Sequence, residues 1–189
     1  FGVSFGHTVG NSVALGASYE FADYGSTDTR YKTGEYYNGV FDSYYEDSES
    51  DEVMNRHTGN TLRGVSTLKL GAEFKPAPEV AVRFGYNYVS PMYKKNGFKD
   101  GSLASEASYY SSATDFTNWE ATHRVTCGIG FQLDQFNISA AYQYDTQKGY
   151  FEPFVSWTDF DNPSDSNIAD VKKIEKKRHQ LLLTATYNF

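Results

Sequence analysis

Apolar side chains recur at every second position in seven stretches of the chain and almost nowhere at helical spacing. The run Phe136 to Asp145 sets Phe136, Ile138, Ala140, Tyr142 and Tyr144 against Asn137, Ser139, Ala141, Gln143 and Asp145. Val80, Val82, Phe84, Tyr86 and Tyr88 alternate in the same way with Ala81, Arg83, Gly85 and Asn87. Val13, Leu15, Ala17, Tyr19 and Phe21 do so within Ser12 to Tyr24, Leu68, Leu70, Ala72 and Phe74 within Leu62 to Lys75, and Val125, Cys127, Ile129 and Phe131 within His123 to Leu133. Leu181, Leu183, Ala185, Tyr187 and Phe189 close the chain, and Phe1 to His7 reads as part of one more strand. Because strand side chains alternate between faces, each stretch predicts a strand with one apolar and one polar face.

The connections alternate too. Short turns are expected at residues 8–11, 76–79 and 134–135, and long polar segments at about 25–61, 91–119 and 146–178. Strands of about ten residues, tight at one end of each hairpin and open at the other, are the pattern of a transmembrane antiparallel β-barrel. A soluble sandwich also alternates, but loops of 30 or more residues on one side only are foreign to compact domains. The apolar face is also graded. Phe74, Phe131 and Phe136 lie beside the short turns, and Tyr19, Phe21, Tyr86, Tyr88, Tyr142 and Tyr144 lie toward the long segments, as two aromatic girdles would. The expectation is an all-β chain, residues 1–189 forming one portion of a barrel, with periplasmic turns and extracellular loops. Bacterial single-chain barrels have an even number of strands, so seven predicts further N-terminal strands from the same or another chain. The opening Phe1-Gly2-Val3 lacks Met, a basic region and an apolar core of a signal peptide, which fits a mature form or a piece of something longer.

Composition narrows the function. The 189 residues carry 17 Lys and Arg against 24 Asp and Glu, a formal charge of -7, which disfavours nucleic acid as a partner. Mean hydropathy is -0.59, and no apolar run approaches the roughly 18 residues of a spanning helix. The lone Cys127 excludes an intrachain disulfide framework and falls, by parity, on the apolar face. Aromatic residues make up 17%, high for so hydrophilic a chain, as girdles require.

Hairpin parity predicts specific pairs. A two-residue turn at Asp134-Gln135 sets Leu133 opposite Phe136 and Arg124 opposite Asp145, and Pro76 opposite Val80 sets Glu73 opposite Arg83. Arg63, Lys69, Glu73, Arg83, Arg124 and Asp145 are therefore candidates to line a lumen, as ion pairs that brace it or as a path for a substrate carboxylate. The acid-rich stretch Asp42 to Glu52 lacks the glycine turn and ligand order of a calcium loop and reads as a solvated, mobile loop. His7, His57, His123 and His179 have no catalytic or metal-ligating spacing, so neither an enzyme nor a metal or other cofactor is expected.

The stretch Leu68 to Val89, followed by His123 to Phe131 and Ile138 to Tyr144, resembles the C-terminal half of the FadL/TodX-type outer-membrane transporters (the OMPP1 family), in the form carried by Bacteroidetes-type bacteria. The resemblance covers the last five predicted strands and the terminal Phe189, and weakly the first two. It implies a fourteen-stranded barrel with an N-terminal hatch that carries long-chain fatty acids or other hydrophobic small molecules, released laterally through the wall. The hatch and the kinked strand are absent from these residues, so no transport residue is carried over. The implied location is the bacterial outer membrane, crossed many times, with the lipid bilayer and lipopolysaccharide as surroundings. Phe189, with Tyr187 before it, resembles the terminal signal read by the outer-membrane assembly machinery. A non-transporting structural or adhesive barrel acting through its loops is the alternative.

Overall fold

The computed structural model describes residues 1–95, 97 and 115–187. Nine strands and one α-helix follow among these residues in the order β1 (Gly2–Val9), β2 (Val13–Asp23), β3 (Arg30–Asn38), β4 (Ser43–Ser50), α1 (Glu52–Thr61), β5 (Gly64–Ala77), β6 (Val80–Val89), β7 (Phe116–Leu133), β8 (Phe136–Glu152) and β9 (Lys172–Tyr187), with one 3-10 turn at Pro163–Asp165 between the last two. Seven strands make one antiparallel sheet in the order β1-β2-β5-β6-β7-β8-β9, and β3 and β4 form a separate two-stranded ribbon. The chain is thus all-β in character, and its main sheet is a meander whose outer strands, β1 and β9, each pair on one side only among the described residues.

Every pairing keeps like faces together. One lateral row runs Val9, Val13, Phe74, Val82, Ile129, Ala140 and Leu183, and the next runs His7, Leu15, Ala72, Phe84, Cys127, Tyr142 and Leu181. A slip of one residue would send a whole polar set onto the apolar face, so the pattern itself specifies the register. The turns supply the rest: Gly10 and Asp134 take left-handed φ of 58° and 44°, which reverse the chain tightly. At the β5–β6 turn the partner of Val80 is Ala77, where Pro76 was expected. A bulge between Phe74 and Ala77 absorbs the extra residue, at a proline that has no N–H for the ladder, and Glu73 still faces Arg83.

Among the described residues neither face of the main sheet carries a second layer. Outside sheet neighbours, the elements make no extensive contact, and Ala81 and Ala169 are the buried apolar residues of the described chain. The solvent-accessible surface is 13511 Å², whereas a compact monomer of 21.3 kDa exposes about 9,100 Å². Leu183 is 71% exposed and Phe84 59%, so the greasy face lies bare. Among the described residues no helix is long and apolar enough to cross a membrane.

The long segments differ from the expectation. Residues 25–61 are not one loop but the β3–β4 ribbon followed by α1. The acid-rich stretch is not a mobile loop either: residues 43–50 are β4, and Asp51 is the N-cap of α1, its side chain accepting from the Met54 N–H. Alternation hid the ribbon because both its faces carry tyrosines and charges, which leaves no greasy side to reveal a strand. The segments placed at 91–119 and 146–178 are also shorter than expected. Strand β7 begins at Phe116, β8 continues to Glu152 and β9 begins at Lys172. These extensions mix polar and aromatic residues on both faces, so period two is silent there although the backbone ladder continues.

Candidate functional site

The sheet brings chemistry-bearing residues together in three places: its polar face, its apolar face, and the end from which the ribbon and helix depart.

On the polar face a lateral row of glycines, Gly6, Gly16, Gly71 and Gly85, crosses four adjacent strands. A Cβ on Gly85 would lie 2.4 Å from the Thr126 hydroxyl, so this position is held to glycine by its neighbour. Charges flank the row. Glu73 Oε2 accepts from Arg83 Nε at 2.6 Å and its other oxygen lies 3.6 Å from Lys75 Nζ. Asp145 accepts from Arg124 Nε at 2.6 Å and from Gln143 Nε2 at 3.0 Å. Lys69 Nζ donates to Glu20 Oε1 at 2.7 Å. Of the six candidates, Glu73 with Arg83 and Arg124 with Asp145 thus stand as cross-strand pairs, and Lys69 joins the same face. Glu20 and Lys75 belong with them and were missed, and Gln143, which alternation sets on this face, joins them. Glu20 has the right parity, but the β2–β5 register spans a 40-residue excursion and no hairpin rule reaches across it. Asn87, between Lys69 and Arg124 in its row, has a buried Oδ1 with no hydrogen-bond partner among the described residues.

Arg63 lies elsewhere. It precedes β5, its N–H bonds to Met92 O at 2.9 Å and its Nε donates to Pro91 O at 3.0 Å. It borders a groove of about 810 Å³ with Tyr88, His123, Tyr144, Lys148 and Lys177, which stand on the apolar-face rows.

The apolar face is graded along the strands. Ile129, Ala140 and Leu183 form one rung, Cys127, Tyr142 and Leu181 the next, then Val125, Tyr144 and His179, then His123, Thr146 and Lys177. Aliphatic groups give way to Tyr and His and then to a cation. The same Tyr-His device occurs twice. The Tyr86 hydroxyl is 2.8 Å from His123 Nδ1 with the Tyr88 ring 5.4 Å from that imidazole, and the Tyr142 hydroxyl is 2.6 Å from His179 Nδ1 with the Tyr144 ring 4.9 Å away. At the short-turn end Tyr187 packs 4.8 Å from the Phe136 ring and donates to Gln135 Oε1. Phe189 lies outside the described residues, so its place in an assembly signal has no geometry.

Beyond the charged rung, Asn55 fastens the ribbon to the helix. Its Nδ2 donates to Asp28, Thr29 O and Ser50, and its Oδ1 accepts the Thr29 N–H. Asp28 also accepts from the Ser50 hydroxyl and pairs with Arg30 at 3.0 Å. The Ser50 hydrogen bond first, and the Arg30 guanidinium next, hold the Asp28 carboxyl below its ordinary range. Along the ribbon Lys32 Nζ bridges Glu35 and Glu46, and these two bonds raise its pKa. Tyr36 stacks on Tyr45 with centroids 5.3 Å apart, and Val40, Phe41 and Tyr44 stand exposed near the tip. The next connection docks on α1: Lys94 N–H bonds to Thr61 O, its Nζ reaches Gly59 O, and Tyr93 packs edge-on against Phe116. Among the described residues no group of three His, Cys, Asp or Glu could hold a metal ion.

No family model, curated protein or solved structure matches the chain.

Proposed function

We propose that this chain is part of the wall of a transmembrane β-barrel in a bacterial outer membrane, and that the barrel is a channel for hydrophobic small molecules such as long-chain fatty acids. One observation carries the reading. A seven-stranded sheet with no layer on either face among the described residues exposes a continuous apolar surface graded from aliphatic through Tyr and His to Lys. Water penalises such a surface at roughly 25 cal/mol per Å², and monomers rarely leave apolar patches beyond a few hundred Å² uncovered. Hydrocarbon bounded by headgroups matches the gradient rung for rung. The polar face is then the lumen, braced by the Glu73–Arg83 and Arg124–Asp145 pairs. Unpaired edges are untenable in lipid, so β1 and β9 must meet further strands, from the same or another chain. The substrate class rests on the likeness to FadL/TodX-type transporters.

Spin labels at positions 129 and 140 of the full protein in a bilayer test the membrane reading. Greater accessibility to oxygen than to a water-soluble relaxant at both sites is expected, and exclusion of both probes would place the sites in a packed protein core. Uptake of a fluorescent long-chain fatty acid by cells with and without the protein tests transport, and equal uptake would remove it.

The exposed Val40, Phe41 and Tyr44 favour a second reading, a structural or adhesive barrel that acts through its surface segments. Replacing residues 30–50 by a short turn separates the two. Loss of cell adhesion with uptake intact supports adhesion, and loss of neither leaves the ribbon without that role.

A further inference from the structure

At the far end of the apolar face Arg63 and Lys173 make no ion pair among the described residues, and Lys148 stands opposite Glu175. The groove of about 810 Å³ collects Arg63, Lys148 and Lys177, and its floor holds His123 and Tyr144. Two carboxylates share it, Glu120 and Glu175, and Glu175 is held by Lys177 at 2.9 Å. Lys173, on the next rung of the same face, has its Nζ 6.0 Å from the centre of the Tyr150 ring. Three cations against two carboxylates leave this groove positive.

Its height identifies the occupant. From Leu181 to Lys177 the strand advances four residues, about 13 Å, or about 9 Å of depth at a tilt near 45°. That is the step from hydrocarbon into headgroups, and the groove is greasy below and cationic above, as a lipid rather than a soluble anion would require.

We infer that the groove bordered by Arg63, Lys148 and Lys177 binds the phosphate of an anionic membrane-lipid headgroup, whose acyl chains lie along the apolar rows below. This rests on the membrane reading above. Arg63 offers its remaining guanidinium N–H groups, Lys148 and Lys177 act as point charges, and the Tyr-His pair closes the floor.

The test uses the full protein in detergent micelles, with native mass spectrometry to count retained phosphatidic acid against phosphatidylcholine. Wild type should retain phosphatidic acid selectively. The combined Arg63→Gln, Lys148→Gln and Lys177→Gln variant should bind it on the order of 100-fold more weakly. Lys176→Gln, on the opposite face, should bind as wild type does, and the charge-keeping set Arg63→Lys, Lys148→Arg and Lys177→Arg should retain most binding, which separates charge loss from misfolding. Equal retention of phosphatidylcholine, neutral-variant binding within twofold of wild type, or full displacement by millimolar inorganic phosphate would each overturn the site. The spin labels at 129 and 140 are read in the same protein returned to a bilayer. If they report lipid while the neutral variant binds normally, the site alone fails, and if they report no lipid the membrane reading fails with it.

Discussion

At the scale of single residues, the ribbon's base is the most sharply determined feature outside the sheet. Asp28 collects hydrogen bonds from Ser50 and Asn55 and an ion pair from Arg30, and its pKa is lowered accordingly. A depressed carboxylate stabilises the folded state above its unfolded pKa, about 3.9 for Asp, and that stabilisation is lost as pH falls through the folded value. We therefore expect the ribbon to hold firm near neutrality and loosen only well below pH 4. Limited pepsin digestion across pH 2 to 5 should show cleavage within residues 28–50 rising as pH drops, and Asp28→Asn should be cleaved about equally across that range. A cleavage profile of the variant identical to wild type would remove Asp28 as the latch. The signals for this latch were present in the sequence as Asp28, Ser50 and Asn55, but only the fold brings them within bonding distance. The Asn38-Gly39 dipeptide is a turn signal that went unread within the long polar segment, and it lies at the ribbon tip, where Asn38 Oδ1 accepts the Val40 N–H.

At the scale of elements, two predictions bear on what holds each piece in place. Asp51 caps α1 through the Met54 N–H while almost fully buried, at 4% exposure. Asp51→Ala should cost about 0.5–2 kcal/mol of local stability. Hydrogen exchange of amides 52–56 should accelerate accordingly while the β7–β8 ladder stays protected, and unchanged exchange would show that packing against the Lys94 connection suffices. The strands of the main sheet obey a different constraint. Ile129 and Ala140 face each other on the apolar side, and Thr126 and Ser139 stand on the polar side. On the membrane reading, Ile129→Arg or Ala140→Arg places a charge in hydrocarbon at about 2–4 kcal/mol, whereas Thr126→Arg or Ser139→Arg crowds the polar face only. Heat-modifiable migration of each variant in membrane extracts should fall far more for the first pair than for the second. Equal losses would mean that the two faces see similar surroundings.

At the scale of the whole molecule, the chain has a sheet but hardly a core. Among the described residues its buried apolar side chains are two alanines, and its outer strands β1 and β9 each pair with a strand on one side only. Refolded alone in detergent, these 189 residues should not give a compact, heat-modifiable monomer, because the two edges cannot be satisfied in a micelle. Near-UV circular dichroism should be weak and migration unaffected by boiling. A compact heat-modifiable monomer would mean that the edges find each other, and the need for further strands would disappear.

What the sequence determined by itself is the set of seven strands, their faces and, where a tight turn joins neighbours, their register. Leu133 opposite Phe136, Arg124 opposite Asp145 and Glu73 opposite Arg83 all follow from period two and a short turn, because side-chain alternation leaves only registers of one parity. It was silent wherever both faces meet water. The ribbon β3–β4, the helix α1 and the far ends of β7, β8 and β9 carry no one-sided pattern, since only a boundary between apolar and polar surroundings writes period two into a strand. The tertiary structure alone decided the pairing of Lys69 with Glu20 and the removal of Arg63 from the ion-paired face to the cationic groove. Those partners are set by a register across a 40-residue excursion and by the docking of one connection on another. No local rule reaches such distances, because the contacts that choose them exist only once the sheet has formed.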